Sequence, residues 1–283
     1  MMAGEAAIKL IALDLDGTLL NSDKALSPEN RAALERAARA GIEIVPATGR
    51  FYEAIPENVR SLPFLHYAIT INGAQLRDLR TGRALLREEI PWQRAVEVMA
   101  WLDPLPAIYD CYMDDWGWMS QAHYDRAADY APHRHSLEML RNFRTPVPEL
   151  KAYLAQAGRG VQKIQMFFLD PALRSRVMAQ LAQRCPDLAV TSSIPRNVEL
   201  NSARAQKGLA LQGLAALLGI PMAETMAFGD DLNDVSMLRS AGIGVCMGNA
   251  SAEALAAADW QTASCDENGV AAALARLVFS GNS

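Results

Sequence analysis

The chain has 283 residues, of which 51% are apolar and 21% charged, with a formal net charge of −5. That length exceeds one typical domain, and the apolar share supplies a large core, so global disorder is excluded. The acidic balance leaves no electrostatic case for nucleic acid as a partner.

The apolar run Ile8–Leu13 has the character of a fully buried strand, and it ends abruptly in Asp14-Leu15-Asp16-Gly17-Thr18. Ser27-Pro28 reads as an N-cap followed by proline in the first helical turn. The helix through Leu34 and Ala37 stops at Gly41. Ile42–Pro46 is the next strand and leads into Ala47-Thr48-Gly49-Arg50. A second helix begins near Phe51, and the strand Tyr67–Ile71 ends at Asn72-Gly73. Strand, helix, strand, helix, strand at this spacing implies βαβ units and a parallel sheet.

From Leu76 the texture changes. A turn over Asp78–Arg83 leads to Leu85-Leu86, and Pro91-Trp92 opens a helix with Ala95, Val96, Val98 and Met99 on one face. Ile108–Tyr112 and Trp116–Met119 read as antiparallel strands joined at Asp114-Asp115. Helices are expected over Ala122–Tyr130 and Val147–Ala157, a strand over Val161–Leu169 and a helix over Pro171–Arg184. Leu188–Thr191 and Asn197–Leu200 close this α+β segment.

The last third returns to the first pattern. Lys207–Leu218 is helical and stops at Gly219. The strand Thr225–Phe228 runs into Gly229-Asp230-Asp231-Leu232-Asn233-Asp234, and a helix through Met237-Leu238 follows. Then come the strand Ile243–Cys246, a helix from Ser251 and a closing helix Val270–Phe279. The expected architecture is a doubly wound α/β core over residues 1–84 and 195–283, interrupted by an inserted α+β cap over 85–194.

Two carboxylates at the end of a core strand are expensive to desolvate unless a cation or a reaction needs them there. In open α/β sheets, ligands gather beyond the carboxyl ends of the strands, where Asp14 and Asp16 fall. Asp230 and Asp234 end another strand, so several acids converge on one edge. They require a hard cation, and oxygen donors of this kind suit Mg²⁺. The Thr48 hydroxyl and the Lys207 ammonium are donors of the sort phosphoryl oxygens need. Together they describe phosphoryl transfer, with an aspartate as nucleophile.

Asp14-Leu15-Asp16-Gly17-Thr18-Leu19-Leu20, Thr48-Gly49-Arg50, Lys207-Gly208 and Gly229–Asp234 resemble the four ordered motifs of the haloacid dehalogenase superfamily. Their order and spacing are similar to those of its Cof-type hydrolases, which carry the large type IIB cap between the second and third motifs. The likeness extends to Ile71-Asn72-Gly73-Ala74, Pro195–Leu200 and Gly244–Ala250. It implies that Asp14 attacks phosphorus and forms an aspartyl-phosphate, while Asp16 protonates the leaving oxygen and then deprotonates the hydrolytic water. It implies Mg²⁺ held by the Asp14 carboxylate, the Asp16 backbone carbonyl and Asp230, with Asp234 in support. Thr48 and Lys207 would hold the transferring group, and Asn233 would orient Lys207 or the substrate. Gly49, Arg50, Asn72 and Arg196 are candidate substrate contacts, and Asp231 reads as a cap of the following helix or a supporting group rather than a ligand.

The resulting expectation is a Mg²⁺-dependent phosphatase for small phosphorylated metabolites, with a cap that excludes bulky substrates and selects the leaving group. A phosphomutase shares both aspartates and is the nearest alternative; a non-catalytic binding protein on the same scaffold is another. Monomer and homodimer are both compatible with the sequence. The start Met1-Met2-Ala3-Gly4-Glu5 lacks signal-peptide features, no apolar run is of membrane-spanning length, and Cys111, Cys185, Cys246 and Cys265 form no C-x-x-C pair. A cytoplasmic protein with reduced thiols and no membrane partner is therefore expected. His133-Arg134-His135 lacks further metal ligands, and Tyr109, Tyr112, Trp116 and Trp118 are expected mainly to pack the cap.

Overall fold

A computed structural model describes residues 7–131, 134–194 and 196–280. Met1–Glu5, His133, the side chain of His135 and Pro195 thus lie outside the described residues. In chain order the elements are β1 (Leu10–Leu13), α1 (Pro28–Arg39), β2 (Glu43–Pro46), α2 (Glu57–Arg60), β3 (Tyr67–Thr70), β4 (Gln75–Asp78) and β5 (Ala84–Arg87). Next come α3 (Trp92–Leu102), β6 (Ala107–Met113), β7 (Trp116–Ser120), α4 (Gln121–Asp125), α5 (Ala127–Tyr130), α6 (Arg134–Asn142), β8 (Arg144–Val147) and α7 (Leu150–Ala157). They are followed by β9 (Lys163–Phe168), α8 (Pro171–Arg184), β10 (Leu188–Thr191) and β11 (Asn197–Ser202). The last are α9 (Lys207–Leu218), β12 (Thr225–Gly229), α10 (Val235–Ser240), β13 (Ile243–Cys246), α11 (Ala252–Leu255), β14 (Trp260–Gln261) and α12 (Gly269–Leu277).

The chain divides into two compact units. One runs to Leu86 and resumes at Gln206; the other is Arg87–Ala205. In the first, a parallel sheet has the order β14-β13-β12-β1-β2. β1 is central and buried on both faces, which explains its unbroken apolar run. Ile11 and Leu13 pack into one layer with Leu34 of α1 and Val270 and Leu274 of α12. Leu10 and Ala12 pack into the opposite layer with Leu211 and Leu214 of α9 and Met237 of α10. Helices on both faces force every strand to deliver its polar C-terminal residues to one edge. The segment leading into β3 meets β2 by an isolated parallel bridge from Leu65 to Ile44, and β3 itself bridges from Ile69 to Ala47. It forms its own three-stranded sheet with β4 and β5.

The second unit is built on a six-stranded sheet of order β10-β11-β9-β6-β7-β8. Its pairings are antiparallel except β7 with β8. One face presents Tyr109, Cys111, Ile164, Met166, Val198 and Leu200 to α3, α7 and α8. The other carries buried charges as well as apolar residues: Lys163 is 3.1 Å from Glu199, and Arg144 is 2.9 Å from Asp110. β11 is hydrogen-bonded between β9 and β10, so this unit extends to Ala205 rather than ending near residue 194. Trp118 stacks on Tyr153 with ring centroids 4.6 Å apart, and the Trp116 indole donates to Thr145.

Ser27 caps α1 as its sequence implies, accepting from the Asn30 N–H, and α8 and α9 begin and end where their punctuation places them. Val147 ends strand β8 instead of starting a helix, and α6 and β14 had no counterpart in the sequence reading. The helix expected from Phe51 is broken by Pro56 into a 3₁₀ turn, Tyr52–Ala54, and the short α2. Among the described residues no helix is long and apolar enough to cross a membrane.

Candidate active site

β1 lies between β12 and β2, so Asp14, immediately after it, stands at an interior position on the sheet's carboxyl edge. Its N–H donates to the carbonyl of Phe228, the residue before Gly229, at 3.0 Å. Gly17 then turns the chain at φ +90°. A Cβ there would lie 2.4 Å from Oδ2 of Asp230, so a side chain is excluded by strain and by contact. The next residue, buried Thr18, donates its hydroxyl to Oδ1 of Asp230 at 2.7 Å.

Lys207 opens α9, and its ammonium is held between two acids. Nζ donates to Oδ1 of Asp14 at 2.6 Å and to Oδ1 of Asp234 at 2.6 Å. Lys207 is wholly buried, yet these carboxylates outweigh the cost of burial and keep it firmly protonated. The second Asp234 oxygen accepts the backbone N–H groups of Asp230 and Asp231 at 2.9 and 3.2 Å. Asp234 is thereby occupied on both oxygens and acts as an anchor for the lysine. Asp231 caps the 3₁₀ turn Leu232–Asp234, as expected of it.

Oxygens of Asp14, Asp230 and Asp234 lie within 4.8 Å of one another. Burial pushes Asp14 up to about 7, against the lowering effect of Lys207, and pushes Asp230 up to about 8. When ionised, the three acids outnumber the single lysine, and the donors are all hard oxygens. That donor set fits a divalent cation such as Mg²⁺.

Asp16 is in a different environment. Its two oxygens accept Nε and Nη2 of Arg50 at 2.6 and 2.7 Å, and Lys24 Nζ lies 3.0 Å from Oδ1. Burial opposes ionisation, but this pair of cations outweighs it and holds the carboxyl well below the usual range. The remaining Arg50 terminal nitrogen donates to the Ala54 carbonyl at 2.9 Å. The arginine expected to contact substrate is therefore committed to the second aspartate.

Thr48 follows β2 and is buried; its hydroxyl accepts the Arg50 N–H at 3.2 Å. Asn72 is also buried, and its side-chain carbonyl accepts from Asn233 Nδ2 at 3.2 Å. The same oxygen is 2.8 Å from where a Gly49 Cβ would stand. Asp14, Asp16, Thr48, Gly49, Arg50, Asn72, Lys207, Asp230, Asn233 and Asp234 all belong to the first unit, linked by these contacts. Arg196 is exposed and belongs to the second. Thr18, Lys24 and Asn249 are further residues of the site. Asn249 donates to the Gly17 carbonyl at 2.9 Å and accepts the Cys265 N–H at 2.9 Å, which ties the Asp14 loop to a distant turn. Thr18 and Asn249 stand inside recognised motifs, which was the available signal; nothing in the sequence marks Lys24 apart from the scarcity of lysine.

Residues 11–274 match the family model of haloacid dehalogenase-like hydrolases. The chain belongs to this family. It is 35% identical to phosphatase YwpJ of Bacillus subtilis, over 96% of this chain and 100% of that protein. It is 30% identical to the 5-amino-6-(5-phospho-D-ribitylamino)uracil phosphatase YcsE of the same organism, over 96% of both chains. Its fold matches a haloacid dehalogenase-like hydrolase structure from B. subtilis with a TM-score of 0.83 at 34% identity, covering 95% of this chain and 100% of that one. A parallel core sheet with a separate antiparallel-rich sheet unit is the family's architecture, and the chain is a phosphatase-type hydrolase within it.

Proposed function

We propose that the protein is a Mg²⁺-dependent phosphatase that hydrolyses small phosphomonoesters through an aspartyl-phosphate on Asp14. The observation that carries this reading is the buried Lys207 ammonium, bonded at 2.6 Å to Asp14 while Asp230 shares the same acid cluster. A lone strand-end aspartate needs neither. In the first half-reaction an Asp14 oxygen bonds to phosphorus as the ester P–O bond breaks, and the leaving oxygen takes a proton from Asp16. In the second, water attacks phosphorus, Asp16 accepts its proton and the Asp14–phosphorus link breaks. Asp16 ends protonated, ready for the next cycle.

Lys207 offsets charge on the phosphoryl oxygens, and Thr48 donates to one of them. Asp14, Asp230 and the Asp16 backbone carbonyl would hold Mg²⁺, with Asp234 fixing Lys207 beside them. When bound, the ion supplies charge neutralisation and a template for the phosphoryl oxygens. Choice of leaving group is assigned to the inserted unit.

Mg²⁺-dependent release of p-nitrophenol from p-nitrophenyl phosphate tests the reading. Asp14→Asn should abolish turnover, and acid-quenched wild type should carry an acyl-phosphate that hydroxylamine cleaves. Turnover surviving in Asp14→Asn would refute it. A phosphomonoester panel then separates hydrolysis, which releases phosphate, from intramolecular transfer, which does not.

A further inference from the structure

Three consecutive residues after β3 adopt left-handed backbone: Ile71 at φ +54°, Asn72 at +59° and Gly73 at +94°. Glycine does so freely and asparagine with little strain, but a β-branched residue there is an outlier. Conformations of this kind persist only where their surroundings hold them. Here the holding contacts are explicit. The Ile71 N–H donates to the Arg50 carbonyl at 2.9 Å, and the Asn72 N–H donates to the Thr48 carbonyl at 3.0 Å. A Cβ on Gly73 would come within 2.4 Å of the Gln206 backbone and 2.9 Å of the Lys207 nitrogen. The turn therefore presses on the Thr48 loop on one side and on the start of α9 on the other.

The Asn72 side chain makes a third connection. Its carbonyl oxygen accepts from Asn233 and occupies the space above Gly49 that any larger residue would need. We propose that Asn72 is a positioning residue: the strained turn presents its amide as a spacer between the Thr48 loop and the Leu232–Asp234 turn, setting Thr48 and Lys207 toward one phosphoryl group. It acts through Asn233 and Gly49 rather than by touching substrate. The inference rests on the phosphatase reading above.

Glycine at position 72 keeps the backbone turn and deletes the spacer; alanine deletes the spacer and strains the turn as well. Asn72→Gly is expected to lower kcat about 10- to 100-fold, because small misplacements of phosphoryl-binding groups are felt mainly in the transition state. KM, inhibition by inorganic phosphate and the unfolding midpoint should change little. Asn233→Ala should give a similar loss, and the double variant should lose no more than the worse single, since the two amides work as one unit. Normal kcat in Asn72→Gly with impairment only in Asn72→Ala would overturn the proposal, because the backbone alone would then matter. Additive losses in the double variant would overturn it too. If Asp14→Asn retained turnover, the phosphatase reading would fail instead, a separate outcome from a normal Asn72→Gly in an enzyme that needs Asp14.

Discussion

Replacing Lys207 with methionine removes one charge from a place that water does not reach, while keeping a long aliphatic stem and a good helix former at the head of α9. Nζ is 2.6 Å from an oxygen of Asp14 and 2.6 Å from one of Asp234. At that separation and an effective dielectric near 20, each pair is worth about 6 kcal/mol before desolvation is counted. Breaking a buried pair by deleting one partner costs about 3–5 kcal/mol net, because an uncompensated charge is left behind. Proton uptake limits the loss. Asp14 titrates at about 7 with the lysine present, so without it the acid stays neutral well above pH 7.

The destabilisation should therefore be about 3 kcal/mol near neutrality and larger in alkali, where the acids must ionise without their cation. Urea unfolding of wild type and Lys207→Met, at about pH 6 and about pH 8.5 with a chelator, measures both quantities. Repeating the series in saturating Mg²⁺ should shrink the difference, since the ion offsets the same carboxylates. A loss below about 1 kcal/mol at both pH values, or one that Mg²⁺ enlarges, would refute the assignment of Lys207 as their counter-charge.

Asp14 and Asp230 titrate at about 7 and about 8 in the folded chain, above the ordinary carboxylate value of 3.8. The native state thus binds more protons than the unfolded one in this window, so metal-free stability should fall as pH rises from about 4 to 8. A thermal midpoint that is flat or rising across that range, with chelator present, would count against it. Thr18→Val removes the hydroxyl that fixes Asp230 and should weaken Mg²⁺ binding about 10-fold by calorimetry; unchanged affinity would reduce Thr18 to packing. Arg50→Gln should move the limb of the pH–rate profile that belongs to Asp16 upward by about one to two units, because the chief cation lowering it is gone. A downward or absent shift would dissociate the two residues.

Much of the first unit was legible because its punctuation is local. Gly219, at φ +68°, ends α9 where the apolar pattern stops, and Ser27-Pro28 begins α1 by side-chain chemistry that needs no tertiary context. The acid cluster could be read because strand ends in a parallel sheet share an edge whatever their distance in sequence. The pairing of Arg50 with Asp16 could not, since nothing local distinguishes an arginine that binds substrate from one that binds a carboxylate. Val147 misled because Arg144–Val147 is an edge strand paired only through β7, and Glu149, the actual cap of α7, stands just beyond it. The strand over Asn197–Leu200 already closes the α+β segment in the sequence, and its partners β9 and β10 place Asn197–Ser202 there, inside the unit that runs to Ala205.

The two aspartates that end β1 hold their protons in the opposite sense to their proposed duties. Asp14, which must attack as an anion, is pushed up to about 7 by burial among other acids. Asp16, which must donate a proton, is held ionised by Arg50 and Lys24. Under the proposed function, the charges the reaction brings would correct both mismatches. A divalent cation held by Asp14 and Asp230 would favour their ionised forms and bring the nucleophile down toward the ordinary carboxylate range. A phosphoryl dianion competing for Arg50 and Lys24 would loosen the fork and let Asp16 rise. In the metal-free chain both groups therefore rest in the less reactive protonation state, which cation and phosphomonoester together would reverse under the proposed function. Arg50→Lys, which keeps a cation but loses the two-pronged contact, should therefore move the Asp16 limb of the pH–rate profile upward by less than Arg50→Gln does, and an equal or larger shift would refute the role of charge there.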